Sequence, residues 1–374
     1  MEKLSINIYA IVVGIGSYND IGIIRSCGEV GIKSIYINTK RFNLIPIWKS
    51  KYLEKFLYLD TDNEILDYIK NYSQHHYDKK FVLFGASDAA VLLLDSNYDK
   101  FPNNVIVQHA KGSMSNLMDK AKMCEMAENA GLKIPFTHTV DLKSCHLPET
   151  FPIILKPLES VNGNKSDITI CQNLEQFKKV SITFKRKGYK KILAQQYIHS
   201  KESKEIGITG IAYLNGTVEF YGYIDKIRNR GNINNFGCYL PNEDLDIYEA
   251  LTKYIKSTRY VGIFDTDFII DKGFIYFIEC NFRNGAYGYS ITHAGFNMPL
   301  HFIQNKPLDN PQKLRKTIFM EERTDILNVL DKTVPIKAWL KDLLKTNTFL
   351  WWNWKDPKPM FRIPHIVKRL IFRN

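Results

Sequence analysis

Several signatures are missing from the sequence. No run of eighteen apolar residues occurs, so no membrane-spanning helix is expected. The opening MEKLSINIYAIVVGIG has only a short apolar stretch with no small-residue cleavage site behind it, and it reads as a first strand. Cysteine is sparse: Cys27, Cys124, Cys145, Cys171, Cys238 and Cys280 are scattered without a C-x-x-C pair. That pattern argues against a zinc site and a disulfide framework, and fits reduced packing residues in the cytosol. There is no G-x-S-x-G elbow, and no Cys and His are arranged as a nucleophile pair. With 45% of its 374 residues hydrophobic and 24% charged, the chain is neither disordered nor fibrous, and it has room for two or three domains.

Positive charge is what the chain has in surplus. Lys and Arg number 51 against 39 Asp and Glu, a formal +12. Residues 332–374 hold ten Lys and Arg against two Asp, so +8 of that excess is local. A surplus gathered in one aromatic-rich segment argues against a nucleic-acid groove.

Periodicity divides the rest. An apolar run over 6–13, the turn Gly14-Ile-Gly16-Ser17 and a helical pattern from Ile21 to Val30 make a strand–loop–helix unit. SIYIN (34–38), FVLFGAS (81–87, with Ser87 and Asp88 capping a helix) and VIVQ (105–108) continue the alternation expected of a small parallel sheet. Residues 1–114 are therefore assigned to an α/β domain. From 115 to 310 strand-like segments dominate: FPIILKP (151–157), KILAQQYI (191–198), IGITGIAYL (206–214), TVEFYGYID (217–225), FDTDFII (264–270) and FIYFIECN (274–281). With helices at 174–187 and 244–258, an α+β domain of antiparallel sheets is expected. Residues 311–374 are assigned to a basic, helical, aromatic-rich extension.

The chemistry concentrates in Asp267-Phe-Ile-Ile-Asp-Lys-Gly-Phe-Ile-Tyr-Phe-Ile-Glu279-Cys-Asn281-Phe-Arg283. Two strands around the Asp271-Lys272-Gly273 turn bring Asp267 and Glu279 together, with Asn281 on the same face and Cys280 on the opposite, buried one. Two carboxylates and an amide oxygen are hard donors suited to Mg²⁺, which also takes phosphate oxygens; Mn²⁺ is an acceptable substitute. Arg283 adds a fixed positive charge beside them. On its own, the stretch is equally compatible with acids that merely flank a hairpin.

An acid followed twelve residues later by Glu-x-Asn-x-Arg resembles the ATP-grasp superfamily, which includes biotin carboxylase, D-alanine–D-alanine ligase and carbamoyl-phosphate synthase. The likeness runs over most of residues 5–305. Asp119-Lys120, a helix and Ala130-Gly131-Leu-Lys-Ile-Pro135 look like the opening of that family's nucleotide-binding subdomain, which implies Lys120 as a phosphate ligand. Phe151-Pro-Ile-Ile-Leu-Lys156-Pro157 resembles the strand whose Lys reaches the phosphates. Gln195, Gln196, Tyr197 and Ile198 stand where a hinge strand meets the adenine edge through its backbone, and Glu205 where an acid binds the ribose. The loop after Lys156, Leu-Glu-Ser-Val-Asn-Gly163-Asn-Lys165, is poorer in glycine than the family's phosphate-covering flap, leaving Gly163 and Lys165 as its candidates. The basic segment with Lys226 and Arg228 is implied at the place where an acyl phosphate forms, with a solvated turn as the plain alternative.

The resemblance implies an ATP- and Mg²⁺-dependent ligase that joins a carboxylate to an amine through an acyl phosphate. It looks most like stand-alone ligases of bacterial cell-envelope polysaccharide or peptidoglycan synthesis, D-aspartate ligases among them. Biotin-carboxylase-type carboxylation and a non-catalytic nucleotide-binding protein are the rivals. Gly14-x-Gly16 does not extend to a dinucleotide fingerprint, since Asn19 holds the third glycine's place. Instead, the amides from Ser17 to Gly22 are expected to bind a carboxylate or phosphate, helped by Arg25 or with Arg25 facing solvent. In the C-terminal segment Trp339, Leu340, Leu343 and Leu344 share a helical face, with Lys337, Lys341 and Lys345 beside it. Packing of these and the following tryptophans on the domain or on a partner subunit, as in a homodimer, is one reading; peripheral seating on the inner face of an anionic membrane is the other.

Overall fold

Apolar strands alternating with capped helices build the first layer. The computed structural model describes residues 7–39, 46–143, 148, 150–158, 167–231 and 233–361. Strands β1 (Ile8–Gly14), β2 (Lys33–Asn38), β3 (Leu53–Tyr58), β4 (Lys80–Gly85) and β5 (Val105–Val107) pair in parallel in the order β3-β2-β1-β4-β5. Helices α1 (Tyr18–Gly28), α2 (Asp62–His75) and α3 (Asp88–Asp95) connect them, α3 capped by Ser87 Oγ accepting from the Ala90 amide. Strand order reverses between β1 and β4, so the loops at Gly14–Ser17 and Ala86–Asp88 open a crevice at the carboxyl ends of the strands. β3 was not foreseen: Glu54 and Lys55 interrupt its apolar pattern because it is an edge strand with an exposed stretch.

After α4 (Met114–Leu117) and α5 (Lys120–Asn129), strands β6 (Thr137–Asp141), β7 (Ile153–Pro157), β8 (Thr169–Cys171) and β9 (Lys191–Gln196) form an antiparallel sheet in the order β6-β9-β7-β8. Helix α6 (Leu174–Arg186) covers it with Phe177 and Phe184.

The largest sheet runs β15-β14-β10-β12-β13-β16-β17, with β11 on the side of β10. Its strands are β10 (Lys204–Ala212), β11 (Val218–Glu219), β12 (Tyr223–Arg230), β13 (Ile233–Leu240), β14 (Gly262–Asp271), β15 (Phe274–Asn281), β16 (Thr317–Met320) and β17 (Thr348–Phe349), with helices α7 (Tyr248–Thr258), α8 (Gly288–Ala294), α9 (Met298–Gln304), α10 (Glu322–Leu330) and α11 (Ile336–Lys345) around it. The stretch 217–225, expected as one strand, breaks into β11 and β12. Gly222 turns there with φ +95, and a Cβ at this position would run into the Leu240 carbonyl.

Residues 311–361 are not a helical tail. β16 pairs antiparallel with β13 and β17 parallel with β16, so this segment completes the large sheet. Leu350 and Trp351 are buried in the core that also holds Ile23 and Ile24 of α1, whereas Trp354 is exposed. Arg25 is not solvent-facing: it is fully buried, its Nε 3.2 Å from Asp356 Oδ2, and its Nη atoms donate to the carbonyls of Leu350, Trp351 and Asp356. Helix α1 is thereby clamped to the C-terminal segment. The described cysteines are buried and free; Cys145 and the basic stretch 362–374 lie outside the described residues. Among the described residues no helix is long and apolar enough to cross a membrane.

Candidate active site

The β14–β15 hairpin supplies the floor. Its register sets Asp267 opposite Glu279 and Asp265 opposite Asn281, and directly opposed residues share a face. Asp267 and Glu279, with Asn281, line one cleft of about 310 Å³ between the two antiparallel sheets. Burial raises the Asp267 carboxyl above the ordinary carboxylate range and Glu279 adds to the shift, while Lys226 opposes it from 2.5 Å. Lys226 in turn loses to burial but is raised on balance by Asp267 and Asp265. Asp265, buried and accepting from the Tyr287 hydroxyl at 2.5 Å, is pushed up to about 7, first by burial and then by Asp267. These crowded acids share one lysine, and further positive charge beside them would favour their ionised forms.

The opposite wall carries two lysines. Asp119 caps α5, accepting from the amides of Ala121 and Lys122 at 3.0 Å, and the Lys120 amide donates to the Leu158 carbonyl just beyond β7. That bond draws Lys120 and Lys156 into the same cleft. Lys156 Nζ donates to Gln195 Oε1 at 2.9 Å, and Gln195 Nε2 to Thr137 Oγ1 at 3.0 Å. Burial lowers the Lys156 pKa, the attraction of Glu279 pulls the other way and Lys120 repels it further. Gln195, Gln196, Tyr197, Ile198 and Glu205 line the same cleft. The amides of Gln196 and Tyr197 are bonded to the carbonyls of Phe136 and Pro152. Glu205 accepts from Asn229 Nδ2 at 2.7 Å.

At the mouth, Arg283 joins the parallel sheet to the hairpin. Its Nε lies 2.6 Å from Asp88 Oδ1 at the start of α3, and its Nη2 donates to Asn281 Oδ1 at 3.2 Å. Sequence reasoning took Asp88 for a helix cap only; its contact lies 195 residues away, and no local signal reveals it. Tyr18, at the start of α1 on the same crevice, is raised to about 12 by burial and by Glu321, against the pull of Arg283 and Lys226.

This fold is shared with solved structures of a ligase and a synthetase. An L-amino acid ligase from Bacillus licheniformis superposes with a TM-score of 0.61 at 16% identity over 81% of this chain and 75% of that one. An N5-carboxyaminoimidazole synthetase from Staphylococcus aureus, solved with ADP, gives 0.60 at 17% identity over 81% and 79%. The chain carries the ATP-grasp fold. In sequence it is 23% identical over 306 residues to a D-alanine–D-alanine ligase of Fusobacterium nucleatum, covering 79% of this chain and 97% of that enzyme. To a D-aspartate ligase of Enterococcus faecium it is 22% identical over 282 residues, covering 67% of this chain and 65% of the relative. No family model matches.

Within the ATP-grasp fold, two expectations move. Arg228 does not line the cleft: a register shift in β12 after Asp225 turns it outward, where its Nε and Nη2 grip Asp325 at 2.8 Å and its Nη1 meets Asp342 at 2.9 Å. The α1 amides are not an anion site, because Asp20 fills it from within. Its Oδ2 accepts from the amides of Gly16 at 2.7 Å and Ser17 at 3.2 Å and from the Tyr36 hydroxyl at 2.7 Å. Gly163 and Lys165 lie outside the described residues. As for the metal, among the described residues no three His, Cys, Asp or Glu side chains gather into a ready cage. Two opposed carboxylates and an amide oxygen, facing two lysines, fit Mg²⁺ that completes its shell with phosphate oxygens.

Proposed function

We propose that this protein is an ATP- and Mg²⁺-dependent ligase that joins a carboxylate to an amine, forming ADP and phosphate. One observation carries the reading: a single cleft sets Lys120 and Lys156 against Asp267, Glu279 and Asn281, with Arg283 at the mouth. Lys120 and Lys156 hold the nucleotide phosphates as point charges, and Glu205 the ribose. With the Gln196 and Tyr197 amides engaged in the sheet, the adenine edge falls to the backbone at Ile198. Asp267, Glu279 and Asn281 would hold Mg²⁺, which when bound neutralises charge on the transferring phosphoryl group.

The reaction follows from that placement. An oxygen of the substrate carboxylate attacks the γ-phosphorus, the bond to the β-phosphate oxygen breaks and ADP leaves with the electron pair. Lys226 sits beside Asp267 at 2.5 Å, on the face where the acyl phosphate forms. Arg283 steadies the carboxylate and then the oxyanion made when the amine attacks the acyl carbon. Phosphate departs as the amide forms, and the proton of the attacking nitrogen passes to solvent. The crevice of β1 and β4, with Tyr18 and Asp88, is the side from which the non-nucleotide substrates enter.

The acceptor is proposed to be a cell-envelope glycan or peptide precursor and the donor an amino acid or other amine; the D-alanine and D-aspartate ligases it is similar to support the amino-acid part of that reading. The test is phosphate release across amino acids with uronic-acid and peptide acceptors, followed by hydroxylamine trapping without amine. A hydroxamate with ADP supports the reading. AMP and pyrophosphate as products reject it.

A further inference from the structure

The acid side chains of the α10–α11 hairpin are turned inward except Asp331, which is exposed but paired. Asp325 is buried against Arg228 and accepts from Trp339 Nε1 at 2.9 Å, Asp342 meets Arg228, and Asp331 pairs with Arg230. Glu321 caps α10 at the Thr324 amide, and Glu322 accepts from the Trp351 amide. What remains outside is sorted. Ile336, Leu340 and Leu344 form an i, i+4, i+8 stripe on α11, exposed by 50%, 46% and 87%, and Leu330 at the end of α10 is exposed by 68%. Lys337, Lys341 and Lys345 run alongside that stripe, each one position on, and with Lys332 before the helix all four are exposed. Since 100° separates consecutive helical residues, the apolar stripe and the lysine row are adjacent, while Trp339 and Asp342 point to the protein.

We propose that this outer face of α10–α11 docks on an anionic lipid surface, with α11 lying in the interface plane. A ten-residue helix is too short to span a bilayer, but its exposed leucines can enter the headgroup boundary while the lysines face phosphates. A second copy of the chain is the poorer occupant, because an isologous contact would set two lysine rows across from each other, and the hairpin's one exposed acid, Asp331, is already paired with Arg230. The inward ion pairs do the sorting: without Arg228 beneath it, the hairpin would present Asp325 and Asp342 to the phosphates as well. This face is separate from the cleft and does not rest on the ligase reading.

The test is co-sedimentation of the full chain at low salt with vesicles of equimolar phosphatidylglycerol and phosphatidylcholine, and with phosphatidylcholine alone. Wild type should pellet with the anionic vesicles only. Lys337→Gln/Lys341→Gln/Lys345→Gln should lower partitioning on the order of a hundredfold, about fivefold for each lysine. Leu340→Glu/Leu344→Glu should abolish it, with the melting temperature and nucleotide affinity of both variants unchanged. Absence of wild-type pelleting overturns the proposal, as does equal pelleting of the variants. A dimer in vesicle-free sedimentation velocity that Leu340→Glu/Leu344→Glu dissolves would overturn it too, assigning the face to a second copy.

Discussion

Replacing Arg25 by Met tests whether the C-terminal segment is a structural part of the ligase fold. The guanidinium is fully buried and holds Asp356 together with three carbonyls of residues 350–356. Removing one partner of a buried pair costs about 3–5 kcal/mol, because the other charge is stranded. Asp356 would keep the Ser50 hydroxyl at 2.8 Å and the Lys51 amide at 3.0 Å, which places the cost near the low end, about 3 kcal/mol. For a chain of 374 residues, with an unfolding entropy of roughly 0.8 kcal/mol/K, that lowers the melting temperature by about 4 °C. The functional effect follows from packing: Trp351 lies edge-on to Tyr18 at 6.3 Å, and Tyr18 faces Arg283, so a loosened segment should depress kcat/KM for the carboxylate while sparing nucleotide affinity. Thermal melting, urea titration and calorimetry with ADP measure these. The double variant Arg25→Met/Asp356→Leu should recover much of the loss, since no charge is then left unpaired. A single-variant loss under about 1 kcal/mol, or a double variant whose cost equals both singles added, would refute the clamp.

Asp267→Asn and Glu279→Gln should each cut Mg²⁺-dependent ADP formation at least about a hundredfold with melting unchanged, and Lys156→Ala should weaken ADP binding about ten- to a hundredfold through one lost charge-assisted bond. A coupled ADP assay and calorimetry decide, and near-wild-type values would show the phosphate site misplaced. Burial, with Glu321 adding repulsion, raises Glu322 from 4.5 to about 7 even though backbone amides of Trp351 and Trp352 donate to it. The folded form therefore holds a proton that the unfolded chain releases near pH 4.5, so stability is full below that value, falls as pH rises to about 7 and stays lower above. Glu322→Gln should flatten that fall and exceed wild type by up to about 3 kcal/mol at pH 8. Parallel melting curves for the two proteins across this range would refute the assignment.

The sequence by itself determined whatever depends on neighbours along the chain. Two-residue alternation placed Asp267, Glu279 and Asn281 on one face and Cys280 on the other, and the Asp119 cap opened α5 where Lys120 enters the cleft. The apolar strands of the parallel sheet were legible because both of their faces are covered, whereas the edge strand β3, with Glu54 and Lys55, was not. Tertiary structure alone decided where charges find partners. Arg228 shares a short segment with Lys226, yet a register shift sends one to the helices and leaves the other beside Asp267. Asp20 looks like an ordinary first-turn acid until folding packs it under Gly14 and fills the anion site. β16 and β17, four and two residues long, carry too few positions to show a period, and β16 joins a strand about eighty residues earlier in the chain. Periodicity is a local property of the backbone, but the partner of a buried charge is chosen by the packing of distant segments, and no spacing along the chain records that choice.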